Sequence, residues 1–236
     1  MAILAKVSFA MSSPFKAVVF DAYGTLFDVH SVASLGEQLF PGKGDALSQL
    51  WRQKQLEYSW LRAMSGKYKP FWEITGDALQ FSAARLGLGM TAEQSSQLMN
   101  QYSSLSAFPE NLGALREMKD AGLKLGILTN GNIDMIAVSI RSSGMTGLFD
   151  QVLSSETVET FKTTDPIYSL APKAFDCNAS EILFVSSNCW DAIGSRWFGF
   201  TSFWINRAGA PLDVLDTEPN FTGTLLTEVL EIVRPA

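Results

Sequence analysis

Short apolar runs alternate with longer amphipathic stretches along most of this chain. Residues 16–21 (KAVVFD) form an apolar run closed by an aspartate, with Gly24 just beyond. Such a run is predicted as a buried strand that hands its last residue to a loop. Residues 123–129, 151–154, 182–186 and 201–205 read the same way. Helical patterns lie between them. Residues 111–121 stop at Gly122, residues 132–143 stop at Gly144, and residues 166–175 open with a proline in the first turn. Strands joined by crossovers of about a dozen residues or more predict a parallel sheet with helices on both faces. The expected fold is α/β, a doubly wound, Rossmann-like core.

Residues 28–108 break that rhythm. They contain no strand pattern, and 32–40, 45–64, 69–86 and 91–105 all read as helices, punctuated by Gly42, Gly66, Gly87 and Gly89. The prediction is a small all-helical cap domain of residues 28–108, inserted into a core made of 1–27 and 109–236. No internal repeat or low-complexity tract interrupts either part.

Composition narrows the classes. The chain has 236 residues, 47% hydrophobic and 18% charged, so a sizeable core is expected. A formal net charge of −6 and no Lys/Arg block argue against nucleic acid. A small anionic ligand stays open, because a local field can be positive inside an acidic chain. Cys177 and Cys189 match no metal spacing or disulfide framework and read as reduced thiols, which suits the cytoplasm. No apolar run reaches the ~18 residues of a membrane span. Residues 3–10 are apolar but short and lack a cleavage pattern, so no signal peptide is expected, and Met11 is a candidate original start.

In open α/β sheets, chemistry gathers at the carboxyl ends of strands near the switch in strand order. Asp21, Thr129, Lys162 and Ser186 fall at or just beyond such ends. A helical insertion directly after the first of them forms a lid. His30, the single histidine, lies at the start of that insertion. No GxSxG elbow accompanies it, so it reads as structural.

Residues 18–28 (VVFDAYGTLFD) resemble the first motif of the haloacid dehalogenase superfamily, whose strand-terminal aspartate attacks the substrate. Residues 127–132 (ILTNGN), Phe161–Lys162 with 165–168, and 184–191 (FVSSNCWD) resemble its other three motifs. Phosphatases of that superfamily have a second acid two positions after the nucleophile and another acidic residue in the fourth motif. Here those places hold Tyr23 and Ser186–Ser187. A halide needs no proton to leave, and Asp21 with Asp191 alone makes a poor magnesium site. The pattern is therefore similar to the L-2-haloacid dehalogenases, metal-independent and without a cofactor. Trp51-Arg52-Gln53 and Tyr58–Leu61 resemble that family's cap, and Trp204–Arg207 its last third. Thr129 stands where the family commonly has serine, which keeps the hydroxyl and shrinks the pocket.

The resemblance implies roles. Asp21 is the nucleophile that forms an ester with a small (S)-2-haloalkanoic acid; water then releases the (R)-2-hydroxy acid, and halide is the other product. Lys162 is its counter-ion, Asp191 orients Lys162 and activates water, Ser186 and Asn188 position Asp21 or that water, and Thr25 braces the turn. The substrate carboxylate meets Thr129 and the backbone N–H groups of Ala22, Tyr23 and Asn130. Arg52, with Asn130, receives the halide. Tyr168 hydrogen-bonds within the site, and Tyr23, Phe71, Trp190 and Phe203 wall the alkyl group. Read from the residues alone, Lys162 and Arg52 are equally surface charges, Asp191 a charge at a helix N-terminus, and the aromatics core. Ring-opening of azetidine-2-carboxylate by the same aspartate is an alternative, and a phosphohydrolase a more distant one. Members of the family are often homodimers.

Overall fold

A computed structural model of the protein describes residues 13–234; the apolar 3–10 segment and Met11 lie outside them. The sheet contains β1 (Ala17–Phe20), β2 (Lys124–Thr129), β3 (Gln151–Ser154), β4 (Ile182–Ser186), β5 (Thr201–Ile205) and β6 (Phe221–Gly223). Their order is β3-β2-β1-β4-β5-β6, and every neighbouring pair is parallel. The winding reverses at β1, which pairs with β2 on one side and β4 on the other. Both faces of β1 are covered, which is why it is apolar at every position rather than at alternate ones. Val18, Phe20, Leu125, Ile127, Leu183 and Val185 point into one core layer. Ala17, Val19, Leu128, Ile182 and Phe184 point into the other. Each of these side chains larger than alanine, fully buried, contributes about 1.5–3 kcal/mol.

Between β1 and α5 (Asn111–Asp120) come the helices α1 (Ala33–Leu39), α2 (Gly44–Ser65), α3 (Phe71–Arg85) and α4 (Ala92–Ser103). The two chain crossings that bound this insertion lie side by side. Asp28 donates its N–H to the Ser106 carbonyl at 2.8 Å, and Phe27 bridges Ala107 in antiparallel fashion. After β2 come α6 (Ile133–Ser142), α7 (Asp165–Tyr168), α8 (Leu170–Phe175), α9 (Cys189–Phe198) and α10 (Val229–Val233).

Three features depart from the sequence reading. The helix expected over 166–175 is two short ones, because Pro172 has no N–H for the Tyr168 carbonyl and its ring crowds that oxygen. Strand β6 was not predicted: it is three residues at the sheet edge, two of them exposed, too short to show a period. Helix α9 was not predicted either, because Gly194 interrupts a good helical pattern. A Cβ at that position would lie 2.5 Å from Thr163 Cγ2 and 2.8 Å from the Tyr168 hydroxyl, so the loop carrying Lys162 can approach only a glycine.

Candidate active site

Asp21 directly follows β1, at the carboxyl end of the strand where the winding reverses. Its backbone N–H donates to Val185 at 2.9 Å, which holds it in line with β4. The carboxylate is 6% exposed. Its two oxygens have different partners. Oδ1 accepts from the Lys162 ammonium at 2.9 Å. Oδ2 accepts from Asn188 Nδ2 at 2.9 Å and the Thr25 hydroxyl at 3.0 Å. Thr25 therefore touches the Asp21 carboxylate itself as well as bracing its turn.

Lys162 reaches a second carboxylate, Asp191 Oδ2, at 2.8 Å. Asp191 Oδ1 accepts from the Tyr168 hydroxyl at 2.7 Å. Lys162, Asp191 and Tyr168 are buried. Burial alone lowers the lysine's pKa, but Asp191 and Asp21 outweigh it, and the net shift is upward. Burial raises Asp191, Lys162 pulls it back, and the nearby Asp21 charge raises it again, to about 6. Burial, then Asp191, pushes the Tyr168 phenol well above its ordinary value, so it stays a donor. Lys162 also lies 4.9 Å over the Phe184 ring, a further stabilising contact for a buried cation.

The β4 loop is laced to the β1 loop. Ser187 donates its N–H to Thr25 Oγ1 at 2.8 Å, and Asn188 Nδ2 also reaches the Tyr23 carbonyl at 3.3 Å. Ser186 does not bond Asp21 here; its Oγ accepts the Asn188 N–H at 3.1 Å and so orients the asparagine. On the β2 side, buried Thr129 accepts the Gly131 N–H at 3.0 Å, and Asn130 Oδ1 accepts the Lys162 N–H at 2.9 Å. The Ala22 carbonyl accepts from Leu26 and Phe27, which closes the turn after Asp21.

The aromatics divide. Tyr23 is buried, stacked on Tyr102 at 5.8 Å and tilted against Phe71 at 5.9 Å. Trp190 meets the edge of Trp60 at 5.4 Å. Phe203, expected in the same wall, instead packs on β6, where its ring lies 2.7 Å from the place a Gly223 Cβ would take. Its position on β5 turns it into the core.

From the insertion, Arg52 reaches both loops. Its Nη2 donates to the Tyr23 carbonyl at 3.3 Å and approaches Asn188 Oδ1 at 3.5 Å. Its Nη1 donates to Gln55 Oε1 at 2.8 Å. Gln55 was missed, although its place three residues after Arg52 puts it on the same helix face. Gly131 was missed too: a Cβ there would sit 2.5 Å from Tyr23 Cε2, so this glycine lets the Tyr23 ring lie against the loop. His30 bonds Ser48 at 3.2 Å, away from Asp21.

No group of three or more metal-ligating side chains gathers among the described residues. The Lys162 ammonium lies between the two carboxylates of Asp21 and Asp191. Two clefts flank the site. One of about 520 Å³ is lined in part by Arg52, Asn188 and Arg207, and one of about 310 Å³ by Lys162, Trp60, Trp190 and Trp197.

Residues 15–199 match the family of haloacid dehalogenase-like hydrolases. The (S)-2-haloacid dehalogenase of Pseudomonas sp. (strain YL) is 44% identical over 221 residues, 94% of this chain and 95% of its own. Haloacetate dehalogenase H-2 of Moraxella sp. (strain B) is 40% identical, over 92% of this chain and 97% of its own. A crystal structure of an L-2-haloacid dehalogenase aligns with TM-score 0.91 at 52% identity, covering 93% of this chain and 98% of that one. The L-2-haloacid dehalogenase of Xanthobacter autotrophicus with chloropropionic acid covalently bound aligns with TM-score 0.87 at 36% identity, with 93% and 98% covered.

Proposed function

This chain belongs to the haloacid dehalogenase-like hydrolases and, within them, to the family of the (S)-2-haloacid dehalogenases, and from that premise we propose that it hydrolyses small (S)-2-haloalkanoic acids to (R)-2-hydroxy acids through an ester on Asp21. The observation that carries the reading is the asymmetry of the Asp21 carboxylate. Oδ2 is held by two neutral donors, and Oδ1 by one ammonium, with a lone pair left to attack.

In the first step Asp21 Oδ1 forms a bond to C2 of the substrate from the side opposite the halogen. The carbon–halogen bond breaks, and the halide takes the electron pair with Arg52 and Asn130 Nδ2 as its partners. Thr129 and the N–H groups of Ala22, Tyr23 and Asn130 hold the substrate carboxylate. Tyr23, Phe71 and Trp190 enclose its alkyl group. In the second step water attacks Cγ of Asp21 and gives its proton to Asp191. The former Oδ2 carries the developing negative charge, and Thr25 and Asn188 already point at it. Ser186 fixes Asn188 for that purpose. The adduct then expels the 2-hydroxy acid, whose hydroxyl oxygen is the original Oδ1. Lys162, beside that oxygen, supplies the proton and is recharged from Asp191, and the second proton of the water leaves Asp21 for solvent, which restores the carboxylate. Tyr168 keeps Asp191 turned toward Lys162. No step passes through a metal or cofactor.

Residues 28–108 act as the cap over this site in the same reading. The active species is a homodimer, with Leu61 and Met64 on α2 as exposed apolar side chains for a partner copy. The unpaired thiols Cys177 and Cys189 suit the cytoplasm.

The test is a single turnover in ¹⁸O water with enzyme in excess over (S)-2-chloropropionate. Mass spectrometry should find the label in the peptide carrying Asp21 and unlabelled 2-hydroxypropionate in solution. Label in the product hydroxyl at first turnover means direct attack by water and overturns the reading.

A further inference from the structure

Gln55 is a fully buried amide in the middle of α2, and every polar group it owns that can be traced is engaged. Its Oε1 accepts from Arg52 Nη1 at 2.8 Å and from the Tyr102 hydroxyl at 2.9 Å. Its Nε2 donates to Thr75 Oγ1 at 2.7 Å. Thr75 passes its own proton to the Phe71 carbonyl at 2.7 Å. The amide orientation is forced, because a guanidinium only donates and so must face the oxygen. One side chain thereby ties α2 to α3 and α4 and ends on the arginine that leans over the β1 loop.

We infer that Gln55 is a positioning residue that aims the Arg52 guanidinium at the departing halide without neutralising it. This rests on the reading of Arg52 as the halide's cation. An arginine side chain on a helix surface samples many rotamers, and fixing it in advance removes that cost from the reaction step. Gln55 anchors Nη1, so Nη2 faces the Tyr23 carbonyl and Asn188. A carboxylate in the same place would hold the guanidinium equally well, but it would cancel the charge the halide needs. The neutral amide keeps the aim and the charge together. Tyr102 links the device to the nucleophile loop, because its ring stacks on Tyr23.

The test follows ester formation and ester hydrolysis separately, by rapid mixing, in the full-length enzyme with 2-chloro-, 2-bromo- and 2-iodopropionate. Gln55→Met should slow ester formation from the chloride about 10- to 100-fold. The iodide, a better leaving group, should suffer several-fold less, and hydrolysis of the ester should keep its rate. Gln55→Glu should give the same halogen dependence. In an Arg52→Ala background, Gln55→Met should add nothing further. Equal slowing for all three halogens, or additive losses in the double variant, means that Gln55 only holds helices together and overturns the inference. Should Gln55→Met fail to fold, Tyr102→Phe removes one hydrogen bond to Oε1 and keeps the ring. It should show the same halogen order at smaller size, and an unchanged order overturns the inference. Wild-type halide release by Arg52→Ala removes the arginine's role and this one with it, while displacement by Asp21 would stand on its labelling result.

Discussion

A lysine between two buried carboxylates leaves one net negative charge on that cluster, and the protonation of Asp191 decides how that charge behaves. With its pKa raised to about 6, Asp191 takes a proton as the pH falls through that value. Ester formation neutralises Asp21 and removes one of the causes that raise Asp191, so the pre-steady-state rate of ester hydrolysis should hold at pH 6 and fall only at lower pH. Stability runs the other way for this group. A carboxyl whose folded pKa exceeds its unfolded value of about 3.9 stabilises fully below that value and loses the contribution as pH rises through about 6. Lys162→Ala leaves two carboxylates facing each other and should lower unfolding free energy by about 3–5 kcal/mol at pH 7. Urea titrations should show that deficit already shrinking above pH 6, because without the lysine that holds it down Asp191 takes up its proton at higher pH than in the parent protein. Asp21→Asn should bind 2-chloropropionate in calorimetry yet release chloride about four orders of magnitude more slowly or worse. The contacts among Asp21, Lys162 and Asp191 were legible through the resemblance of the motifs that hold them, not through spacing alone. The link from Ser186 to Asn188 instead of to Asp21 was not, since a hydroxyl's direction depends on backbone geometry that no spacing encodes.

Elements position these residues through close approaches at glycine. Gly194→Ala puts a methyl group into Thr163 and the Tyr168 hydroxyl, the two neighbours that set Lys162 and Asp191. The variant should lose about 1–3 kcal/mol in thermal or urea unfolding. Its ester hydrolysis should slow more than its ester formation, because Asp191 loses its orienting phenol. That same glycine hid α9 from a periodicity reading: the residue that breaks the local pattern is the one packing requires. Strands β1, β2, β4 and β5 were readable because each buries most of its length, and β3 because its short apolar run sits between helical patterns. The edge strand β6 was not, with a single buried residue out of three. Pro172 was visible in the chain, but its consequence, two helices in place of one, needs the geometry of the Tyr168 carbonyl.

At the scale of the whole molecule, the core and the insertion each bring part of the site. Asp21, Lys162, Asp191 and Asn188 come from the sheet's carboxyl edge, Arg52 and Gln55 from α2. With an ammonium between the carboxylates, turnover should be unchanged after exhaustive dialysis against EDTA and unchanged again on adding magnesium, measured as chloride released. The parallel sheet with helices on both faces and the helical character of 28–108 could be read from alternation alone, though not the order of the strands. The network of Gln55, Thr75 and Tyr102 could not, because it joins three helices whose packing partners the chain does not announce.

The order of strands also bears on how the molecule comes into being. Among the described residues the strand earliest in the chain lies in the middle of the sheet, and the ammonium that balances the acid at its end lies 141 residues downstream. Until that distant segment arrives, closing a sheet around β1 would strand an anion in an apolar interior. Assembly of this half of the protein therefore waits on long-range closure, which is slow relative to local helix formation. The nascent insertion can form its helices first. The acid that does the chemistry stays wet until the lysine that tames it has been synthesised.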